Sequence, residues 1–221
     1  MNSTAKNLTK TNFGEYQQAI DAASAVIDGY FKFAAIDREI FAEGCRIIAW
    51  AFYYLAIKGD QSEKNNNALH AELYAREAIA LSEDDNRRLS ALNVLPLAIH
   101  IQGSDRRSAA WRASDKAIQE FPQEPSVWNT RGILARWSSN NEVGMIIGAK
   151  VTKCAIDKGD SLTAGHGAQN RGDALDNLNH KEEALKAYEL ALRLYLNHEA
   201  VTGVKATPHI ESVKKKIASR Q

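Results

Sequence analysis

The stretch that decides the fold runs from Gly165 to His198 and reads GHGAQNRGDALDNLNHKEEALKAYELALRLYLNH. Apolar and small residues recur three or four positions apart on both sides of Asn177–His180. This spacing predicts two amphipathic helices joined by a turn. Small or flat side chains occur where two packed helices would approach closely, at Gly172, Ala184, Tyr188 and Ala191.

This predicted hairpin resembles the tetratricopeptide repeat (TPR), a helix–turn–helix unit of about 34 residues that stacks into a solenoid. The resemblance depends on the small residue Gly172 in the first helix and on the run Lys-Glu-Glu-Ala-Leu-Lys-Ala-Tyr-Glu at 181–189. The match is incomplete, because three residues that are typical of the family are replaced. Ala168 stands in place of the usual Trp, Leu175 in place of a Tyr, and Leu196 in place of a Pro.

The second-helix pattern recurs along the chain. Ala78, Ala117, Ala155 and Ala191 are spaced 36 to 39 residues apart, and each is followed by Ile or Leu. Trp128 supplies a further first-helix landmark of the family. These observations predict an all-α, TPR-like α-solenoid of stacked antiparallel helix pairs, with capping helices at both ends.

The same pattern predicts the organisation of the chain. Two local departures are expected: Pro96 should kink or interrupt its helix, and an offset of the pattern predicts a longer turn or helix around Ser138–Val143. The predicted segments are a flexible tail at 1–11, an N-terminal capping helix or half repeat at 12–35, four degenerate repeats at 37–82, 84–122, 124–160 and 163–198, and a basic C-terminal capping helix at 205–221.

The composition is that of an ordinary globular protein, with 44% apolar residues, 25% charged residues and a net charge of +1 over 221 residues. Nearly balanced charge argues against a protein devoted to nucleic acid or to an anionic membrane. The first ten residues are polar and lack the apolar segment of a secretion signal. The nearly apolar run Ile47–Ile57 is too short to span a bilayer. Cys45 and Cys154 are interpreted as buried thiols in a reducing compartment rather than a functional pair. A cytoplasmic protein is predicted.

No pattern for catalysis or cofactor binding is found in the sequence. Glycines at 144, 148, 165 and 167 form no nucleotide fingerprint, because no strand precedes them and no Gly-Lys-Ser/Thr follows. The six histidines include no helical i, i+4 pair with an acidic partner, as a zinc site would need. Acidic pairs at 84–85 and 182–183 fit first helical turns, where negative charge complements the helix dipole. We therefore expect no enzyme activity, no cofactor and no metal.

The basic residues at the C-terminus admit two interpretations. Lys205 and the stretch 214–220 have the charge to contact nucleic acid or acidic lipid. A solvated capping helix with cations near its C-terminal end is the favoured interpretation, since Glu211 interrupts the charge and no aromatic side chains are interleaved.

The TPR resemblance implies a ligand groove lined by the first helix of each repeat. An amide commonly holds a peptide backbone in this family, which makes Asn129 and Asn170 the leading individual candidates. Trp137 is either a groove aromatic or a second packing residue beside Trp128. Carried onto the last two repeats, the implied groove positions are Asn129, Thr130, Ile133, Arg136, Trp137, His166, Gln169, Asn170, Asp173, Asp176 and Asn177, together with Ser126.

The implied groove predicts the chemistry of the partner. TPR co-chaperones that bind acidic C-termini need converging lysines, whereas this sequence has Ile133 and Asp173 at one of the positions concerned. A neutral or basic protein segment is therefore expected, with no nucleic acid or membrane, and homo-oligomerisation is possible. The leading hypothesis is a protein–protein interaction adaptor or scaffold. One alternative is an assembly or secretion-type chaperone, which is favoured by the apolar residues Leu92, Leu95, Ile99 and Ile133. The other is a scaffold that self-associates through its aromatic N-terminal helices around Trp50 and Tyr53.

Overall fold

The computed structural model describes residues 13–33 and 38–220, and all regular structure in these ranges is helical. The predicted all-α fold is confirmed, and within each unit successive helices pack on one another in the manner of a solenoid. The predicted tail at 1–11 lies outside the described residues. A short 3₁₀ turn, Ser104–Arg106, directly precedes the helix that begins at Arg107. The α-helices are α1 (Phe13–Phe33), α2 (Arg38–Lys58), α3 (Lys64–Leu81), α4 (Asp85–Ile101), α5 (Arg107–Glu120), α6 (Pro125–Trp137), α7 (Asn141–Asp157), α8 (Ser161–Asn177), α9 (Lys181–Thr202) and α10 (Thr207–Ala218).

Local sequence signals explain where these helices begin and end. Asp84 and Asp160 act as N-caps, and each accepts a hydrogen bond from the backbone N–H three residues on, at 2.9 Å and 3.0 Å. Pro125 begins α6, where the missing N–H costs nothing. Gly203 ends α9 in the left-handed conformation, with φ of 68°. The helix boundaries are therefore encoded locally.

The chain divides into two compact units, residues 1–119 and residues 120–221, which are described separately. In the first unit α1 packs on α2, α2 on α3 and α3 on α4, and α2 also contacts α4. One apolar cluster joins Tyr16 and Ile20 of α1 to Ala51 and Leu55 of α2. Trp50 donates from Nε1 to Ser90 Oγ at 3.0 Å, and Tyr53 is buried. The aromatic side chains of α2 therefore belong to the core of this unit.

The second unit contains two helical hairpins, α6–α7 and α8–α9, and the terminal helix α10 packs on α9. The close approach predicted within the last hairpin is confirmed, because a Cβ on Gly172 would lie 2.6 Å from Cε1 of the buried Tyr188 ring. The hairpins meet where α7 crosses α8, and a Cβ on Gly148 would lie 2.8 Å from the carbonyl oxygen of Gly167. The glycines that form no nucleotide motif thus include residues that let helices cross at short range.

Two local expectations are corrected by the structure. Residues 138–140 form a turn as short as that of residues 178–180, so the longer turn predicted around Ser138–Val143 is wrong. Counted from the start of each second helix, Gly144, Gly148 and Val151 of α7 correspond to Ala184, Tyr188 and Ala191 of α9, so the pattern in α7 has no offset. Helix α4 continues through the buried Pro96, so the predicted interruption is wrong, and the helix packs against α2 and α3.

One described helix, α2, has the length and apolar composition that a membrane span requires. Half of its apolar segment is buried inside the unit, and it packs against α1, α3 and α4. A core helix of this kind satisfies the same length and composition criteria, because a helix that is covered on several sides is apolar on several sides.

Candidate partner-binding site

A cavity of about 310 Å³ lies in the second unit, beside the first helices of its two hairpins. We call it the α6–α8 cavity. Tyr188 of α9, Lys216 of α10 and Arg220, two residues after the end of α10, also line it. Five of the predicted groove residues line it as well: Arg136, Asn170, Asp173, Asp176 and Asn177.

Amide side chains connect the helices around the α6–α8 cavity. Asn170 Nδ2 donates to Asn129 Oδ1 at 3.3 Å, which joins α8 to α6. Asn177 Nδ2 donates to Asn141 Oδ1 at 3.1 Å, which joins α8 to α7. Both bonds are at the long end of the usual range, and each amide keeps further hydrogen-bonding groups. The two leading candidates from the sequence, Asn129 and Asn170, are therefore in direct contact.

The two carboxylates of the cavity are paired with cations of the terminal helix. Asp173 accepts a hydrogen bond from Tyr188 OH at 2.7 Å and forms an ion pair with Lys216. Asp176 receives both Nε, at 3.0 Å, and Nη2 of Arg220. The interpretation of the basic C-terminus as only a solvated cap is thus incomplete. Lys214 and Lys215 are exposed, whereas two other cations neutralise the carboxylates of α8.

Tyr188 is central to this charged network. Lys216 Nζ lies 5.3 Å and the Arg220 guanidinium 4.9 Å from the centroid of its ring, within cation–π range. Burial, followed by the hydrogen bond to Asp173, raises the pKa of Tyr188. The hydrogen bond with Asp176 raises the pKa of Arg220. The phenol therefore stays neutral and donates its proton to Asp173.

Four of the predicted groove residues, all on α6, do not line the cavity: Asn129, Thr130, Ile133 and Trp137. Thr130 is 5% exposed and is thus too buried for a partner to contact. Ile133 and Trp137 are half-buried on α6. Trp128 donates from Nε1 to Pro122 O at 2.8 Å, and Lys150 lies over its ring. Trp128 therefore anchors the start of α6.

The two remaining predicted residues, His166 and Gln169, belong to a separate cluster between α8, α9 and α10. Gln169 Oε1 accepts from Tyr195 OH at 2.9 Å, and the ring centroids of His166 and His209 are 4.7 Å apart. His166 Nε2 is buried and has no hydrogen-bond partner among the described residues. Burial, and then the charge of His209, lowers the pKa of His166 to about 4. This cluster is part of the packing of α10.

Sequence reasoning missed several residues of the cavity, among them Asn141, Tyr188, Lys216 and Arg220. A usable signal was present for the cations. Lys216 and Arg220 are four residues apart, in the last turn of α10 and just after it, and Asp173 and Asp176 are three residues apart on one face of α8. Complementary charge spacing of this kind predicts a contact only when the two helices are known to be neighbours.

The parts of the chain that the structure describes, 13–33 and 38–220, contain no group of three or more His, Cys, Asp or Glu side chains able to hold a metal ion. Cys45 and Cys154 are buried and form no disulfide, and burial raises the pKa of Cys45 to about 12. Both cysteines are therefore packing residues. No protein-family model matches the sequence, and a search of curated proteins gave no match, so the TPR resemblance is supported only by the residues quoted above.

Proposed function

We propose that this protein is a non-catalytic, TPR-like helical-repeat scaffold that binds a peptide segment of a protein partner in the α6–α8 cavity. The supporting observation is that Asn141 of α7 and Asn170 and Asn177 of α8 line one cavity, with Asn170 also bonded to Asn129 of α6. The family resemblance implies that such amides hold a peptide backbone. A cytoplasmic adaptor remains the proposed setting.

The amides of Asn170 and Asn177 suit an extended peptide. Each offers a donor and an acceptor, which is the pattern of a backbone amide. Their present bonds, to Asn129 at 3.3 Å and to Asn141 at 3.1 Å, are long. A bound peptide would exchange these bonds for its own at a small net cost, since a neutral hydrogen bond near the surface contributes only about 1 kcal/mol.

The charge of the site refines the expected partner. The sequence favours a neutral or basic partner segment because of the carboxylate of Asp173. In the structure, however, Asp173 and Asp176 already form ion pairs with Lys216 and Arg220. A basic segment would have to displace those cations. Arg136 lines the cavity, is exposed, and has no ion pair among the described residues. We therefore propose a neutral segment, or one with a single carboxylate that reaches Arg136.

Neither alternative from the sequence gains a specific observation. Of the residues that favour a chaperone, Leu92, Leu95 and Ile99 are buried within the first unit, and Ile133 of α6 is half-buried. Trp50 and Tyr53, which pointed towards self-association, take part in intramolecular contacts. An accessible apolar surface is what either alternative would need.

A peptide array tests the proposal. Wild-type protein is compared with the double variant Asn170→Ala/Asn177→Ala on an array of random dodecapeptides. The matched control is Asn65→Ala/Asn66→Ala, two exposed asparagines near the start of α3 in the first unit. We expect a set of peptides bound by the wild type and the control to lose about tenfold in affinity with the cavity variant.

Far-UV circular dichroism of all three proteins ensures that the helical fold is intact. Equal loss with both double variants, or peptide binding that is indifferent to the cavity substitutions, would refute the proposed site. Substituting Arg136→Gln then tests the charge preference. Among the peptides bound, those with one carboxylate should weaken and neutral peptides should not.

A further inference from the structure

A second cavity, of about 540 Å³, lies in the first unit between α3, α4 and α5. We call it the α3–α5 cleft. It is lined by four cations, Arg76, Arg88, Arg112 and Lys116, and no carboxylate is among the residues that line it. It shares no residue with the α6–α8 cavity.

The four cations of the cleft are not equivalent. Arg76 donates to the buried carboxylate of Glu72 at 2.7 Å, and Arg88 donates from Nη1 to the carbonyl oxygen of Ile79 at 2.5 Å. These two are held by the protein itself. Arg112 and Lys116 are exposed, and neither has an ion pair or hydrogen bond with any residue in the described ranges. The cleft thus presents two uncompensated positive charges.

Arg112 and Lys116 are positioned to act together. They are four residues apart on α5, which places both side chains on one helix face. Ala113 lies between them in sequence and also lines the cleft. The long stem of each cation can lie along this small apolar surface while its charged end stays in water. Two carboxylates about one helical turn apart would satisfy both charges.

The floor of the cleft is apolar. Ile79 of α3 and Leu95 of α4 line it and are each 7% exposed. Only the edges of these side chains are accessible, so the floor accommodates one small apolar group rather than a large hydrophobic face. The arrangement is an apolar base below a rim of positive charge.

We propose that the α3–α5 cleft binds an acidic peptide segment, whose carboxylates pair with Arg112 and Lys116 and whose apolar side chain contacts Ile79 and Leu95. Charge complementarity supports this occupant. A nucleic-acid strand suits the site less well. Strand-binding grooves combine a row of cations with stacking aromatic rings, and no aromatic side chain is among the residues that line this cleft.

Fluorescence anisotropy tests the proposal on the full chain. The probe is a fluorescein-labelled dodecapeptide with Leu at every third position and Asp or Glu at the others. We expect Arg112→Glu/Lys116→Glu to weaken binding by about tenfold. The matched control, Lys214→Glu/Lys215→Glu on α10, makes the same change in net charge at exposed positions and should weaken binding by less than about twofold.

Two further probes separate the proposal from nonspecific attraction. A peptide with every Leu replaced by Asn should bind about fivefold more weakly than the parent peptide if the apolar floor contributes. A single-stranded RNA of similar charge should bind more weakly than the acidic peptide. Since Arg112 and Lys116 are exposed, their variants should keep the wild-type thermal melting curve.

The proposal fails if the control variant weakens binding as much as the cleft variant does. It also fails if the peptide without Leu binds as tightly as the parent, if RNA is preferred, or if no acidic peptide binds. Failure of this proposal would leave the proposal for the α6–α8 cavity untouched, because the two sites share no residue. The cavity variant Asn170→Ala/Asn177→Ala should therefore bind the acidic peptide as the wild type does.

Discussion

The two units pack their helices together with different kinds of side chain. In the first, α4 is buried along one continuous stretch from Ala91 to Ile99. In the second, α8 is rich in glycine, and Gly165 and Gly172 receive the rings of Tyr195 and Tyr188. Aliphatic packing tolerates small changes of shape, whereas a ring against a glycine leaves no space for a methyl group. The free energy of unfolding of the second unit should therefore be the more sensitive to the addition of one methyl group.

The units also differ in how they neutralise acidic groups. Glu72 of the first unit has a side chain only 6% exposed and is shared by Arg76 and Arg106. Asp173 of the second unit is 24% exposed and pairs with Lys216 of the terminal helix. A buried carboxylate serves stability, whereas a half-exposed one is accessible to a partner. Asp173, beside the proposed peptide site, is therefore partly accessible, whereas Glu72 is enclosed by its partners.

The largest effect should follow from adding one methyl group beside a buried ring. Gly172→Ala would bring a Cβ to 2.6 Å from Tyr188 Cε1, and Gly165→Ala to 2.5 Å from Tyr195 Cε1. Each should lower the free energy of unfolding by about 3 kcal/mol, even after the gain in helix propensity. Urea denaturation followed by circular dichroism measures the loss.

Gly132→Ala provides the control within the same unit. Its Cβ would lie 3.4 Å from Ile147 Cγ2, an ordinary contact distance. We expect a change of less than about 1 kcal/mol, because the gain in helix propensity offsets the crowding. Equal losses of unfolding free energy for Gly172→Ala, Gly165→Ala and Gly132→Ala would contradict the distinction between tight and loose helix contacts.

Removal of the buried carboxylate should have the next largest effect. Glu72→Ala leaves Arg76, Arg106 and Gln102 without their shared acceptor. The expected cost is about 2 kcal/mol, because both guanidinium groups are exposed enough to reach water. Hydrogen exchange measured by mass spectrometry should locate the loss of protection in the first unit.

The matching substitution in the second unit is Asp176→Ala. Its side chain is 33% exposed, so the loss of the Arg220 pair should cost less than about 1 kcal/mol. Equal costs for Glu72→Ala and Asp176→Ala would contradict the argument that burial separates the two carboxylates.

Stability should depend on pH through His166 of the second unit. Burial lowers its pKa from 6.5 to about 4 in the folded chain, so the unfolded chain binds more protons between these values. The groups facing it are Asp160 at the start of α8, His198 and Tyr195 on α9, and His209 on α10.

The free energy of unfolding should therefore fall as pH drops from about 6.5 towards about 4, by roughly 2 kcal/mol after allowance for partial exposure of the ring. His166→Gln should reduce this slope. Denaturation curves at several pH values measure it, and an unchanged slope in the variant would show that other groups cause the acid sensitivity.

The smallest effect concerns the turns of the two hairpins. Ser139 and Asn179 both adopt left-handed backbone conformations, with φ of 54° and 64°. Asn tolerates this conformation better than Ser does. Ser139→Gly should raise the free energy of unfolding by about 0.5 kcal/mol, whereas Asn179→Gly should change it less. Thermal denaturation compares the two, and a destabilised Ser139→Gly would indicate that its side chain contributes a contact.

Local sequence signals were sufficient to predict where several helices begin and end. The caps Asp84 and Asp160, the initial Pro125 and the terminal Gly203 each act on their own turn of chain, so a reader of the sequence can place them. The stretch 165–198 likewise predicted the hairpin α8–α9 and the approach of Gly172 to Tyr188. About half of the candidate groove residues line the cavity, because helical periodicity fixes which side chains share a face.

The tertiary structure decided what the sequence left open. Lys216 and Arg220 lie more than forty residues from Asp173 and Asp176, and only the docking of α10 on α9 brings these charges together. Gln169 and His166 lie outside the cavity, where they contact Tyr195 of α9 and His209 of α10. Periodicity describes one helix at a time, whereas charge pairing and burial depend on which helices meet. The sequence by itself therefore determined the all-α helix pairs, and only tertiary packing decided which polar groups a partner can reach.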